Sequence, residues 1–221
     1  MIMTTSDASW SARFRLIGDL ERPDHHYLSA ADECCFLGEY TARAGYNHST
    51  TNQIIANLKK SPLTRGTGQW QYKEREIRRV AQVMKGAINP AALPTLTFVP
   101  IPPSKLPTEP EYDDRMLRIA CLISPRGTRE LIRATATRVA RHSADTKRDP
   151  QELRATLQID ESRTAPPPTH IFLIDDVITT GCSFIVCKQM VVERFPGVKV
   201  TGMFVARRAL PTVEAMFADF D

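Results

Sequence analysis

The sequence predicts an α/β fold: an open parallel sheet flanked by helices, with a small N-terminal hood. Three observations predict it. First, His170-Ile171-Phe172-Leu173-Ile174 is an uninterrupted apolar run, the pattern of a strand buried on both faces of a parallel sheet. Second, a helical stretch from about Ser183 to Arg194 follows, is closed by Pro196-Gly197, and gives way to a second β-rich run, Val198 to Val205. Strand, helix and strand in so short a span make a βαβ unit, expected to cross over right-handed. Third, the chain has 221 residues, 42% of them hydrophobic and 24% charged. At about 150 residues per domain that is one elaborated domain or two small ones. Such a composition excludes a disordered, collagenous or coiled-coil chain. The expected division is a hood and helical segment over 1–84 and a sheet domain over 85–221.

The first segment, to about Ala30, is weakly patterned. Asp24-His25-His26 reads as a solvated turn rather than a metal site, because adjacent histidines point apart on a strand and no further ligands are spaced nearby. Glu33 to Thr41 predicts a short strand. Thr50-Thr51-Asn52-Gln53 reads as a capping box with Thr50 at the cap. The helix it opens carries Ile54, Ile55 and Leu58 on one side; Lys59 and Lys60 suit its negative end, and Pro62 stops it. Leu63 to Gly68 is a loop. Ile77, Val80, Ala81, Met84 and Ile88 then keep the spacing of an amphipathic helix, with Arg75, Arg78, Arg79 and Lys85 on a solvated opposite face.

Thr95 to Ile101 is a β-rich run between prolines and predicts a strand. Pro102-Pro103-Ser104-Lys105 opens a loop that continues to about Tyr112. Asp113 is expected to cap a helix that turns Met116, Ile119, Ala120 and Ile123 inward, and Ser124-Pro125-Arg126-Gly127 ends it. A strand is expected from Glu130 to Thr137, a polar, basic, mobile loop from Arg138 to Gln151, and a short helix from Gln151 to Gln158. Pro166-Pro167-Pro168 is a stiff connector.

Lys and Arg number 29 against 25 Asp and Glu, a net charge of +4. That mild excess suits an anionic small ligand and does not require nucleic acid. The five cysteines, Cys34, Cys35, Cys121, Cys182 and Cys187, are odd in number and include no C-x-x-C pair. This argues against a disulfide framework or a structural zinc and for a reducing, cytoplasmic setting. No apolar run approaches the ~20 residues of a membrane helix, and the start lacks a signal-peptide pattern. No membrane partner is expected.

Chemistry concentrates in Ile171-Phe-Leu-Ile-Asp175-Asp176-Val177-Ile178-Thr179-Thr180-Gly181-Cys182-Ser183. Two carboxylates stand at the carboxyl end of a buried strand, where open α/β sheets bind ligands. Hydroxyls and a glycine follow as the chain turns into a helix, whose first N–H groups form a cradle for an anion. Gly181 lets the backbone close around the anion, and Thr179, Thr180 and Ser183 offer hydroxyl donors. Adjacent carboxylates suit two vicinal hydroxyls, so a sugar phosphate with a free diol matches both halves. The bland alternative is a turn followed by simple caps; the ordered combination in a βαβ setting argues against it. Cys182 stands at a helix start, where a thiol is activated, but only a small residue is needed there. His142, alone in a basic segment, reads as solvated.

This segment resembles the phosphoribosyl-diphosphate-binding signature of type I phosphoribosyltransferases: four apolar residues, two acids, two variable positions, Thr-Thr-Gly, a small residue, then Ser or Thr. Looser likeness over about Cys35 to Arg208 is similar to the ComF-like branch, in Ile54-Ile55-Ala-Asn-Leu-Lys59-Lys60 and in Val99-Pro-Ile-Pro-Pro103. The zinc ribbon of that branch is missing, and Tyr112-Asp113-Asp114-Arg115 replaces its Arg-Gly-aromatic motif.

The resemblance implies that Asp175 and Asp176 hold the ribose hydroxyls and, directly or through water, Mg²⁺. It implies that Thr179, Thr180, Gly181, Cys182 and Ser183 bind the 5-phosphate, that Ser104 and Lys105 face the pyrophosphate, and that Arg138 to Arg148 form a lid. Arg115 is a candidate cation for the leaving group, with Arg126 and Arg141 behind it, and Asp175, Asp176 and Lys105 are the candidate catalytic residues. The expected partners are phosphoribosyl diphosphate and an unidentified base, and a homodimer is left open. The expected function is an Mg²⁺-dependent phosphoribosyltransferase of nucleotide metabolism. The alternative is a non-catalytic module that senses the same donor or a nucleotide, in DNA uptake or another nucleic-acid process. A competent acceptor site separates the two.

Overall fold

The computed structural model describes residues 10–138 and 149–210. The expected lid therefore lies outside the described residues, apart from Arg138. The central sheet has five strands: β1 (Trp10–Leu16), β2 (Cys34–Thr41), β3 (Leu96–Pro100), β6 (His170–Ile178) and β7 (Lys199–Ala209), in the order β1-β2-β7-β6-β3. β2, β7, β6 and β3 run parallel, and β1 pairs antiparallel with β2 at one edge. A separate two-stranded ladder joins β4 (Ile132–Ala134) to β5 (Leu157–Ile159), with α4 (Pro150–Ala155) leading into β5. The expected α/β class with a mostly parallel, helix-flanked sheet is what the chain adopts.

Both faces of the sheet are covered, which is why its strands read as continuous apolar runs. On one face lie α1 (Thr50–Leu58), α2 (Trp70–Gly86) and α3 (Arg115–Ile123). Their Ile54, Leu58, Ile77, Val80, Met84 and Ile119 pack with Phe98, Ile174 and Met203. On the other face α5 (Cys182–Arg194) sets Phe184, Val186, Cys187 and Met190 against Phe36, Ile171, Leu173 and Phe204. Alternation along β6 divides Ile171 and Leu173 from Ile174 in the same way. No helix of the described residues is long and apolar enough to cross a membrane.

The structure departs from the sequence expectations at several points. The sheet spans the expected division at residue 84: β2 lies between β1 and β7, and α1 and α2 pack on the sheet face. Cys34 to Leu37 are all buried, so this strand belongs to the core as much as β6 does. Ser49, not Thr50, caps α1, its hydroxyl accepting from Asn52 N–H at 3.1 Å. Asn52 is thereby free to tie Thr41, its side chain donating to Thr41 O at 2.9 Å. Asp114 stands at the N-cap position of α3 without a side-chain cap bond, while Asp113, the expected cap, accepts from Arg115 N–H at 3.2 Å and also from a lysine of α2. The strand expected over Glu130–Thr137 shrinks to β4, and β6 runs on past Asp176 to Ile178.

Candidate functional site

The parallel strands deliver their carboxyl ends to one edge. β6 brings Asp175 and Asp176 there, and the segment after β3 starts beside it, with Ile101 N–H donating to Ile174 O at 3.0 Å. Because β6 extends through both acids, the two carboxylates face opposite sides of the sheet.

Asp176 turns to the side of α1 and α3 and is buried. Arg115, near the start of α3, donates to its Oδ2 from Nε at 2.9 Å and again from Nη2. The Lys59 ammonium lies 3.5 Å from its Oδ1, and Val177 N–H donates to Oδ1 at 2.6 Å. Burial works to raise the Asp176 pKa, but the Arg115 and Lys59 charges and the hydrogen bonds outweigh it and hold the carboxyl well below the usual range. Arg115 in turn is gripped by Asp113, its Nη1 donating to Asp113 Oδ2 at 2.5 Å.

Asp175 turns to the α5 side. Its Oδ1 accepts from Asp176 N–H at 2.8 Å. Burial, and then the Asp176 charge, push its carboxyl up to about 7. The pair thus holds one firmly ionised and one easily protonated carboxyl, a contrast the sequence does not show.

The Thr179–Gly181 turn begins α5. Gly181 caps the helix in the left-handed region, φ 87°, a conformation that costs other residues. A Cβ there would also sit 3.0 Å from Leu28 Cδ2. Thr180 Oγ1 accepts from Cys182 N–H at 3.4 Å, and Cys182 is buried in the core, as befits a small-residue position.

A strap from Asp24 to Asp32 lies behind this turn. The His25 ring donates from Nδ1 to Thr179 O, and Tyr27 N–H donates to Thr180 O at 3.0 Å. The N–H of a trans peptide points opposite to its C=O. With those two carbonyls held by the strap, the N–H groups of Thr180 and Gly181 face the other way. The strap is pinned at both ends, by Arg207 on Asp24 at 3.0 Å and by Lys188 on Asp32 at 2.6 Å. His25 is therefore fully buried, not in a solvated turn as expected, and burial lowers its pKa.

Ser104 and Lys105 lie on the segment after β3, at the same edge. Ser104 O accepts from Arg138 N–H at 2.8 Å. The Arg138 guanidinium, through Nη2, donates to Pro102 O at 2.9 Å and Pro103 O at 2.7 Å. The Lys105 ammonium sits 3.2 Å from Glu109, so its ion partner is Glu109 rather than either aspartate. The structure thus gathers Asp175, Asp176, Arg115 and the Thr179–Ser183 turn along β6 and its flanks. Lys105 is left on the neighbouring segment with its charge engaged.

Two parts of this arrangement escape sequence reasoning. The strap has no periodic or motif signal. Lys73 did have one: it lies four residues before Ile77 and seven before Val80, on the apolar stripe of α2. A lysine there must have a buried partner, and it finds Asp113 at 2.6 Å. No group of three or more His, Cys, Asp or Glu among the described residues is placed to hold a metal ion. No family model matches the chain, and no curated protein matches it.

Proposed function

We propose that the protein is an Mg²⁺-dependent phosphoribosyltransferase of the type I kind, moving phosphoribosyl from its diphosphate donor to a nitrogen of a base. The observation that carries this reading is the junction of β6 and α5. There an acidic pair at the carboxyl end of a central strand runs directly into a turn whose Thr180 and Gly181 N–H groups are turned away from the strap. A helix start of that kind takes a phosphate, and the carboxyls beside it take hydroxyls.

In this reading the turn holds the 5-phosphate and Asp175 and Asp176 hold the ribose. As pyrophosphate leaves, the C1–O bond breaks with its electron pair on the leaving oxygen. The acceptor nitrogen forms the new bond to C1 and loses its proton. Positive charge grows on the ribose ring, where carboxylates favour it. Lys59 and Arg115 beside the acidic pair, and Lys105 on the neighbouring segment, are cations for the opposite charge. The donor set fits Mg²⁺ only as an ion arriving on the donor's phosphate oxygens, with one carboxylate added from the chain. Asp175 suits that role, since the charge of Asp176 is already met by Arg115 and Lys59. When bound, the ion would offset charge on the leaving pyrophosphate.

A second reading, a non-catalytic module that binds the same donor, is favoured by one observation: Lys105 rests on Glu109 rather than facing the site. The experiment that decides is pyrophosphate release from phosphoribosyl diphosphate and Mg²⁺ across a panel of bases. Release that depends on a base supports the transferase. Saturable donor binding without release supports the module. Absence of donor binding overturns both.

A further inference from the structure

We infer that Lys73 and Asp113 are positioning residues for Asp176, closing a ring of buried charges that sets the carboxylate against Arg115 and Lys59. The inference rests on the phosphoribosyl reading for its consequence in binding, and on geometry alone for the ring.

Lys73 is fully buried. An ammonium has three hydrogens and no acceptor, and all three are used: Nζ donates to Leu58 O at 2.6 Å, Lys60 O at 2.9 Å and Asp113 Oδ2 at 2.6 Å. A buried charge is tolerated only when paired and hydrogen-bonded in this way. The two carbonyls lie where α1 ends and no further helical N–H arrives to meet them. Lys73 therefore anchors the end of α1 on both sides of Lys59, whose ammonium is 3.5 Å from Asp176 Oδ1.

The third hydrogen bond fixes Asp113. That carboxylate accepts from the Arg115 backbone at 3.2 Å and from Arg115 Nη1 at 2.5 Å. Arg115 so held has its Nε and Nη2 left for Asp176. Both arms that reach Asp176, one through α1 and one through α3, start at the same ammonium. The ring sets Lys59, Lys73 and Arg115 against the carboxylates of Asp113 and Asp176, with the charges of Asp114 and Asp175 acting on the same cations from either side. Neither Lys73 nor Asp113 needs to touch the ligand to have this effect.

The test uses Lys73→Met, which keeps the aliphatic length and removes the charge, with Asp113→Asn as a second variant. Without ligand, the readout is the Arg115 Nε–H signal in a ¹⁵N NMR spectrum, a group hydrogen-bonded to Asp176 in the intact ring. It is expected to shift or be lost to exchange in each variant that folds. An unchanged signal in a folded variant overturns the ring. With phosphoribosyl diphosphate and Mg²⁺ as probe, Lys73→Met is expected to weaken binding about tenfold or more, the scale of a hydrogen bond to a charged group. The same change in an Asp176→Asn background is expected to have less than about a twofold effect, since groups acting through one another are not additive. Equal losses in both backgrounds mean that Lys73 acts through general stability, and overturn the inference. If the unmodified protein fails to bind the donor, the phosphoribosyl reading falls, while the NMR result still decides the ring.

Discussion

Replacing Arg115 by Met isolates the interaction that most distinguishes this edge of the sheet. The Arg115 side chain is 18% exposed and Asp176 6%, so the pair is largely out of water. Among cations, Arg115→Met leaves Asp176 with the half-exposed Lys59 at 3.5 Å and Asp113 with Lys73, while the backbone N–H bonds to both carboxylates remain. Removing one partner of a buried pair costs about 3–5 kcal/mol, a large part of the roughly 5–15 kcal/mol that holds a domain folded. Urea denaturation at pH 7 measures it. Asp176→Asn in the same chain is expected to recover part of the loss, because the stranded charge is gone. The sign of the pH effect also follows. The folded Asp176 pKa is depressed, so its stabilisation is present above the unfolded value of about 4 and is lost as pH falls further. The gap between wild type and Arg115→Met is expected to narrow below about pH 4. A loss under about 1 kcal/mol at pH 7, the worth of an exposed pair, would refute the reasoning.

Asp175 carries the opposite sign. Its folded pKa is raised to about 7, so its contribution is complete below the unfolded value and is lost as pH rises through the folded one. Asp175→Asn is therefore expected to flatten the fall of Tm between about pH 4 and 7 and to leave the variant more stable than wild type at pH 7.5; a lower Tm there contradicts this. Gly181→Ala is expected to cost about 1–2 kcal/mol through its left-handed backbone alone, with Leu28 adding to it, and denaturation indistinguishable from wild type would contradict that. If the protein turns over, Lys105→Ala is expected to lower pyrophosphate release far more than ribose 5-phosphate binding, since that ligand lacks the diphosphate; equal effects on both would remove Lys105 from the site.

The parts of this account that were legible in the sequence are those governed by local pattern. His170 to Ile174 announces a doubly covered strand because both of its faces are apolar. Ile77, Val80, Ala81 and Met84 announce one face of α2 by spacing alone. The order of acids, hydroxyls and glycine after Ile174 points to a candidate site at a strand end, and the structure puts these residues at the end of β6 and the start of α5. What was not legible depends on contacts between distant segments. Asp24 to Asp32 has no periodicity, and its place behind the Thr179–Gly181 turn is set by Arg207 and Lys188, more than 150 residues away in the sequence. The unequal acidity of Asp175 and Asp176 arises because β6 continues past them and turns their side chains to opposite faces. Asp113 meets the Arg115 N–H at the start of α3 through one oxygen, as local pattern suggests, while the Lys73 ammonium on its other oxygen comes from α2, forty residues earlier, and has no local signal at Asp113.

The central claim is that the acidic pair and the turn after it hold a phosphoribosyl donor. Titration calorimetry of phosphoribosyl diphosphate with Mg²⁺, against wild type and against Asp175→Asn with Asp176→Asn, tests it most directly. Saturable binding to wild type is expected, with a loss of at least about 2–3 kcal/mol in the folded double variant, the scale of charged hydrogen bonds. Unchanged affinity in the double variant, or no binding to wild type, would contradict it.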